Sequence, residues 1–250
     1  MRIAAGVEYK GTLFCGFEIQ SENIRTVQQE LESAISKVAG ESVKIVVAGR
    51  TDSGVHAQGQ VIHFDSTSQR TEHEWLLGVN SNLPEDISLI WVRLVLDDFH
   101  ARYSASQRYY AYYIINRKAR PALKADFAHW VYSPLDIEKM YQASRCLLGE
   151  NDFSSFRAAE CQSKTPMRFV SKIEINRQQD KILIEIAANA FLHHMVRNIV
   201  GSLILVGEGK REVSWLEQVF LAKDRKLAGP TAPACGLFLE RVEYPAKFNI

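Results

Sequence analysis

Apolar positions along the chain recur with a period of two in some stretches and of three to four in others, which predicts alternating strands and helices. Residues 3–9 read as a first strand, followed by a glycine-punctuated loop over 10–16. A helix is then well marked. Thr26 and Gln29 form a capping box, Val27, Leu31, Ile35 and Val38 lie on one stripe, and Gly40 supplies the stop. Residues 43–48 and 60–65 are β-rich runs separated by a turn-rich segment. Residues 72–79 read as a short helix and Ile87–Val95 as another strand.

The second half repeats this grammar. Residues 108–116 form a strand rich in tyrosine and isoleucine. Ser133, Pro134 and Asp136 predict a helix opening with cap, N1 proline and N3 acid, its apolar side running from Ile137 to Leu148 and its end at Gly149. Residues 169–176 and Lys181–Ala188 read as two strands joined by a turn at 177–180. Residues 191–206 predict an apolar helix, Val213–Ala222 a shorter one and Leu237–Glu243 a last strand. Recurrent hairpin-like pairs favour an α+β fold with mainly antiparallel sheets and helices on one face. The expected organisation is two related α+β domains, 1–104 and 105–250, with the linker near Phe99 to Ser106.

Composition adds bounds. With 46% hydrophobic and 24% charged residues in 250, the chain can bury a sizeable core. The net charge of +1 argues against a binder that relies on bulk positive charge. That average hides an asymmetry: residues 1–104 carry 9 Lys and Arg against 14 Asp and Glu, net −5, and residues 105–250 carry 21 against 15, net +6. The division is either chance partitioning or a phosphate-facing surface in the second half. Cys15, Cys146, Cys161 and Cys235 have no CxxC spacing, so neither zinc nor a disulfide framework is signalled. No apolar run approaches a membrane span, and Glu8 interrupts the opening residues before a signal-peptide core forms. The expected location is the cytoplasm.

Three segments carry chemistry. The first is A-G-R-T-D-S-G-V-H-A at 48–57, between two strands. Asp-Ser-Gly alone is ordinary turn chemistry, but Arg50 and His56 flank Asp52, and an aspartate near an arginine stays ionised and can act as a nucleophile. The second is R-Y-Y-A-Y-Y at 108–113, where Tyr110 and Tyr112 share one face of a strand and Tyr109 and Tyr113 the other. Such rings suit either core packing or stacking on an unstacked base, and the basic stretch Arg117, Lys118, Arg120 follows at once. The third is A-F-L-H-H-M-V-R-N at 190–198. Adjacent His193 and His194 cannot share one metal from a helix, so no metal is expected. Arg197 on an apolar helix requires an acidic partner, for which Asp52 is a candidate.

These segments, with N-L-P-E-D-I at 82–87, F-H-A-R-Y-S-A at 99–105 and L-L-G-E-N-D-F-S-S-F-R at 147–157, resemble in their joint order the bacterial tRNA pseudouridine synthase A family. The resemblance covers nearly the whole chain. It implies isomerisation of uridine to pseudouridine at positions 38 to 40 of the tRNA anticodon stem-loop, with no cofactor or metal. It implies Asp52 as the essential nucleophile, attacking either the sugar or the base, and Arg197 as the cation that keeps it ionised and oriented. Tyr110 would stack on the target base, and Arg50 would help hold the nucleotide out of the stack. RNA contacts are implied for Phe99, His100, Ala101, Arg102 and Tyr103, for Glu160, Cys161, Gln162, Ser163 and Lys164, and for Arg70 and Lys118. The implied fold is two related α+β domains sharing a continuous mixed sheet with a central RNA-binding cleft, assembled as a homodimer that binds tRNA. The chain departs from the family pattern at Lys10 and at 17–20, so no RNA contact is carried over to that first loop. Two other readings stay open on the residues alone: a non-catalytic RNA-binding protein of the same fold, and a nucleosidase using Asp52.

Overall fold

A computed structural model describes residues 1–20 and 24–250. The first half contains β1 (Arg2–Tyr9), α1 (Val27–Ala39), β2 (Val46–Val47), β3 (His56–Asp65), α2 (Glu72–Asn80) and β4 (Ile87–Val95). There follow β5 (Gln107–Asn116), β6 (His129–Val131), α3 (Ile137–Ser144), β7 (Gly149–Asp152), β8 (Met167–Gln178) and β9 (Lys181–Ala188). The chain ends with α4 (Met195–Gly207), α5 (Val213–Ala222) and β10 (Leu237–Glu243). Two compact units result, Met1–Arg108 with Phe238–Ile250, and Tyr109–Leu237. The C-terminal strand thus returns to the unit formed by the first half of the chain.

In the first unit the strand order is β4-β1-β3-β10, and β2 also pairs with β3. β1 pairs antiparallel with both neighbours, whereas β10 runs parallel to β3 through Phe238 opposite His56 and Leu239 opposite Ala57. α1 follows its sequence signals: the Thr26 side chain accepts from Gln29 N–H, and Gly40 adopts φ 72° at the other end. Val27, Leu31 and Ile35 are buried on its stripe. α2 opens with a capping box between Thr71 and Glu74, and its Trp75 meets Phe64 of β3 edge to face at 5.3 Å. Ala4, on the face of β1 opposite to Ile3 and Ala5, joins a separate cluster with Ala48, Val61, Phe99, Ala101, Tyr244 and Phe248.

In the second unit the order is β5-β9-β8-β7, with β6 parallel to β5. β8 and β9 form an antiparallel hairpin, turned at Gln179 with φ 57°. The α+β class and the mixed, mainly antiparallel pairing agree with the sequence reading. Local departures have local causes. α3 is capped by Asp136, which accepts from Lys139 N–H, so the helix starts later than Ser133-Pro134 predicts. α4 begins at Met195, because His194 sits in the left-handed region at φ 61° and cannot continue a helix from 191. β6 and β7 are too short to show a period of their own.

Within the described residues no helix is long and apolar enough to cross a membrane.

Candidate active site

The segment at 48–57 connects β2 to β3, and its anchoring is dense. Ala48 N–H donates to Val61 O at 2.8 Å, and the Gln60 amide donates to Gly49 O at 2.7 Å. The hydroxyls of Tyr9 and Thr51 share a hydrogen bond of 2.7 Å, and Phe17 N–H donates to Thr51 O at 3.1 Å. Past Asp52, Val55 N–H donates to Asp52 O at 3.1 Å, closing the turn, and the Ser53 hydroxyl donates to Phe14 O at 3.2 Å. His56 is buried; its Nδ1 accepts Gly11 N–H at 3.1 Å and its ring stacks on Phe238 at 4.5 Å. An accepting Nδ1 carries no proton, so His56 is a structural support for the turn in its Nε2–H form.

Two glycines admit the N-terminal loop against this turn. A Cβ at Gly11 would lie 2.0 Å from Val55 O, and Gly16, at φ 92°, packs on the Thr51–Ser53 backbone. Tyr9 is fully enclosed, and burial pushes its phenol up to about 12, so it stays protonated beside Thr51. Asp52 is half-buried on a backbone tied before and after it. Such preorganisation is what a nucleophilic carboxylate needs. Arg50 pairs with Glu18 at 2.5 Å, both half-exposed, so solvent screens the pair and leaves it weak.

The stretch 99–105 lies in the same unit and divides sharply. Phe99 and Ala101 are fully buried, and the Phe99 ring packs on Tyr244 and Phe248 at 5.1 Å each. Tyr103 is 77% exposed, and Arg102 is exposed beside it. The loop is shaped from within: His63 Nδ1 accepts Ala101 N–H, and His100 Nδ1 accepts both Arg102 and Tyr103 N–H. Burial, the neighbouring His100 and the Arg2 cation lower His63 to about 4. Beneath the loop, the buried Arg108 side chain donates to backbone carbonyls.

In the second unit, Tyr110 and Tyr112 are the buried tyrosines of β5, and Tyr109 and Tyr113 are intermediate. The Tyr112 hydroxyl donates to Pro233 O at 2.8 Å, which makes it a core residue. Tyr110 meets the Phe191 ring edge to face at 5.0 Å. Arg197 sits in the first turn of α4, where its Nε donates to Ala232 O at 2.8 Å and its carbonyl accepts Ala232 N–H. The segment that carries Ala232 is itself fixed to α4. Buried Asn198 accepts from Arg225 and from the Thr231 hydroxyl, and Ser202 accepts Gly229 N–H. Gly201 permits the approach, since a Cβ there would fall 1.7 Å from Pro230 O.

The 160–164 loop is held by Arg157, which donates to the Cys161 and Ser163 carbonyls at 2.8 Å each, and by Arg168, which donates to the Ser163 hydroxyl. His193 N–H donates to Cys161 Sγ at 3.4 Å, and backbone donors and the Arg157 charge lower this thiol despite its partial burial. Glu160, Gln162 and Lys164 are the exposed members of the loop, and Lys118 is exposed as well. Arg70 is engaged at the C-terminal end of α1 through Val38 O at 2.9 Å. Sequence reasoning missed Tyr9, Gln60, Arg108 and Asn198 as supports, because each acts through backbone groups or buried hydroxyls that no residue pattern encodes.

The sequence profile of the family described as tRNA pseudouridine synthase matches residues 5–104 and 143–245. The tRNA pseudouridine synthase A of Escherichia fergusonii is 51% identical over 249 residues, covering 100% of this chain and 92% of that protein. The tRNA pseudouridine synthase A of Salmonella arizonae shows the same 51% identity and the same coverage of 100% and 92%. A far more distant likeness, at 11% identity and a TM-score of 0.37, joins 81% of this chain to 54% of a chain in a Cbf5-Nop10-Gar1 complex. On the profile match and the full-length identity, the chain belongs to the tRNA pseudouridine synthase family.

Proposed function

We propose that this chain converts uridine to pseudouridine at positions 38 to 40 of the tRNA anticodon stem-loop, with Asp52 as the nucleophile. The coarse activity, isomerisation of uridine in tRNA, follows from family membership. The observation that carries the finer reading is the turn at 48–57, which holds one carboxylate on a backbone anchored on both sides. Asp52 attacks the sugar C1′ or the uracil ring, the C1′–N1 bond breaks, the uracil turns, C5 bonds to C1′, and the bond to Asp52 breaks to return the free carboxylate. The C5 proton is released and N1 takes up a proton, so substrate and product have the same formula. The reaction consumes no oxidant, reductant or second substrate, and no cofactor is invoked.

Arg197 orients the Asp52 carboxylate, Tyr110 stacks on the target base and Arg50 stabilises the extruded nucleotide, an extrusion costing a few kcal/mol. Tyr103, Arg102 and His100 offer side chains to the RNA, while buried Phe99 and Ala101 shape the loop that presents them. The 160–164 loop, Arg70 and Lys118 supply further contacts. The enzyme acts as a cytoplasmic homodimer.

Tritium release from tRNA labelled at uracil C5 tests the reading. Wild type releases label and Asp52→Asn releases none while still binding tRNA; an active Asp52→Asn enzyme refutes the nucleophile. Wild-type turnover of free uridine with no action on tRNA would point to a nucleosidase instead.

A further inference from the structure

Arg108 is buried, at 8% exposure, and its guanidinium donates to carbonyls on two separate loops. Nη2 donates to Ala48 O at 3.0 Å and to Arg102 O at 2.6 Å, and Nη1 donates to Ala105 O at 3.2 Å. Ala48 opens the turn that carries Arg50 and Asp52. Arg102 and Ala105 belong to the loop that exposes Tyr103. We infer that Arg108 is a positioning residue that ties the nucleophile turn to the RNA-facing loop, so that the two segments hold their geometry as one body. The inference rests on the reading of Asp52 as nucleophile and of Tyr103 as an RNA contact.

The chemistry singles out arginine at this place. Spanning carbonyls from different segments requires several donors in a rigid plane, which the guanidinium fork supplies and a lysine ammonium on a flexible stem does not. A cation below the surface is costly unless its donors are satisfied, so moving either loop alone would strand N–H groups of Arg108. The penalty opposes independent motion of the loops. Their apolar sides are joined as well, since Ala48 and Ala101 pack in one cluster with Phe99, Val61 and Tyr244. From outside, Tyr244 adds a hydroxyl that donates to Ala101 O at 2.7 Å. Ordering the exposed loop on RNA therefore steadies the turn that bears Asp52, a coupling between binding and chemistry within one unit.

Arg108→Lys and Arg108→Gln test this in the full chain, read by single-turnover kinetics, tRNA affinity and amide hydrogen exchange. Expected are a fall in turnover of about tenfold or more, weaker tRNA binding, and faster exchange at both 49–57 and 99–105 with unchanged protection in β1 and β4. Asp52→Asn should remove turnover while tRNA binding survives. Faster exchange in only one loop, or wild-type turnover and affinity in both variants, overturns the inference. Unfolding of both variants overturns it too, since the role would then be global. If Asp52→Asn stays active, the nucleophile reading fails, while the exchange pattern still reports separately on the tie between the loops.

Discussion

The Tyr9 hydroxyl meets the Thr51 hydroxyl at 2.7 Å, immediately ahead of Asp52 in the chain. Tyr9 is the last residue of β1, so this contact joins the Asp52 turn to the centre of the sheet of its unit. The Gln60 amide also donates to the Tyr9 hydroxyl, at 3.4 Å. Replacing Tyr9 with Phe keeps the ring and leaves Thr51 without that partner. The expected cost is about 1–3 kcal/mol in stability, the range for a buried group left unsatisfied. Turnover should fall by about tenfold through displacement of Asp52, with tRNA affinity preserved. Chemical denaturation and single-turnover kinetics on the same preparation check both.

Gly11→Ala should act on the same turn by steric means. The added methyl would fall 2.0 Å from the Val55 carbonyl, a backbone atom, so no flexible side chain can yield. A stability loss of about 1–3 kcal/mol is expected, as for overpacked interiors. Turnover should be reduced beyond what the unfolded fraction explains. Thermal unfolding compared with activity well below the midpoint separates the two.

Phe99 and Tyr103 should respond in opposite ways although they share a loop. Phe99→Ala opens a cavity among Tyr244, Phe248 and His63, at an expected cost of about 3–5 kcal/mol. Tyr103→Ala, at a site 77% exposed, should leave stability within about 0.5 kcal/mol. It should weaken tRNA binding by about 1–3 kcal/mol if a base stacks there. Unfolding curves and filter binding of labelled tRNA give the comparison.

Acid should loosen the 99–105 loop through His63. Its folded value, lowered to about 4 by burial first and then by His100 and Arg2, lies below the ordinary 6.5, while Asp65 acts in the opposite direction. Between these values the unfolded chain binds the proton more readily, so stability falls as pH drops from 6.5 towards 4. The full effect is about 3 kcal/mol. Protonation also removes the acceptor for Ala101 N–H. His63→Asn, which retains an acceptor without titrating, should flatten the pH dependence of the melting temperature in that window.

Much of the fold was legible because it rests on local signals. Thr26 and Gly40 bracket α1 where the capping pattern predicts, and β4, β9, α5 and β10 have the bounds that periodicity assigns. The start of α4 was not legible, because no rule of spacing reveals that His194 adopts φ 61°. The Asp52 turn stood out through the rarity of its charged neighbours within turn-forming residues. Its supports did not, since Arg108 and Gln60 bind carbonyls, which every residue carries alike. Arg197 was conspicuous as a charge on an apolar helix, which argued for an acidic partner; the carbonyl of Ala232 to which it donates lies far along the chain and was not legible.

The parallel pairing of β10 with β3 has a consequence for synthesis. The strand that leaves the Asp52 turn meets its neighbour through His56 opposite Phe238 and Ala57 opposite Leu239, near the end of the chain. A polypeptide still emerging from the ribosome short of that point exposes an open sheet edge at the root of the turn. The stacking partner of His56 is also missing until then. Support from this neighbour reaches the Asp52 turn only once residues 238 and 239 have been made, so a nascent chain short of them lacks that part of the base beneath Asp52.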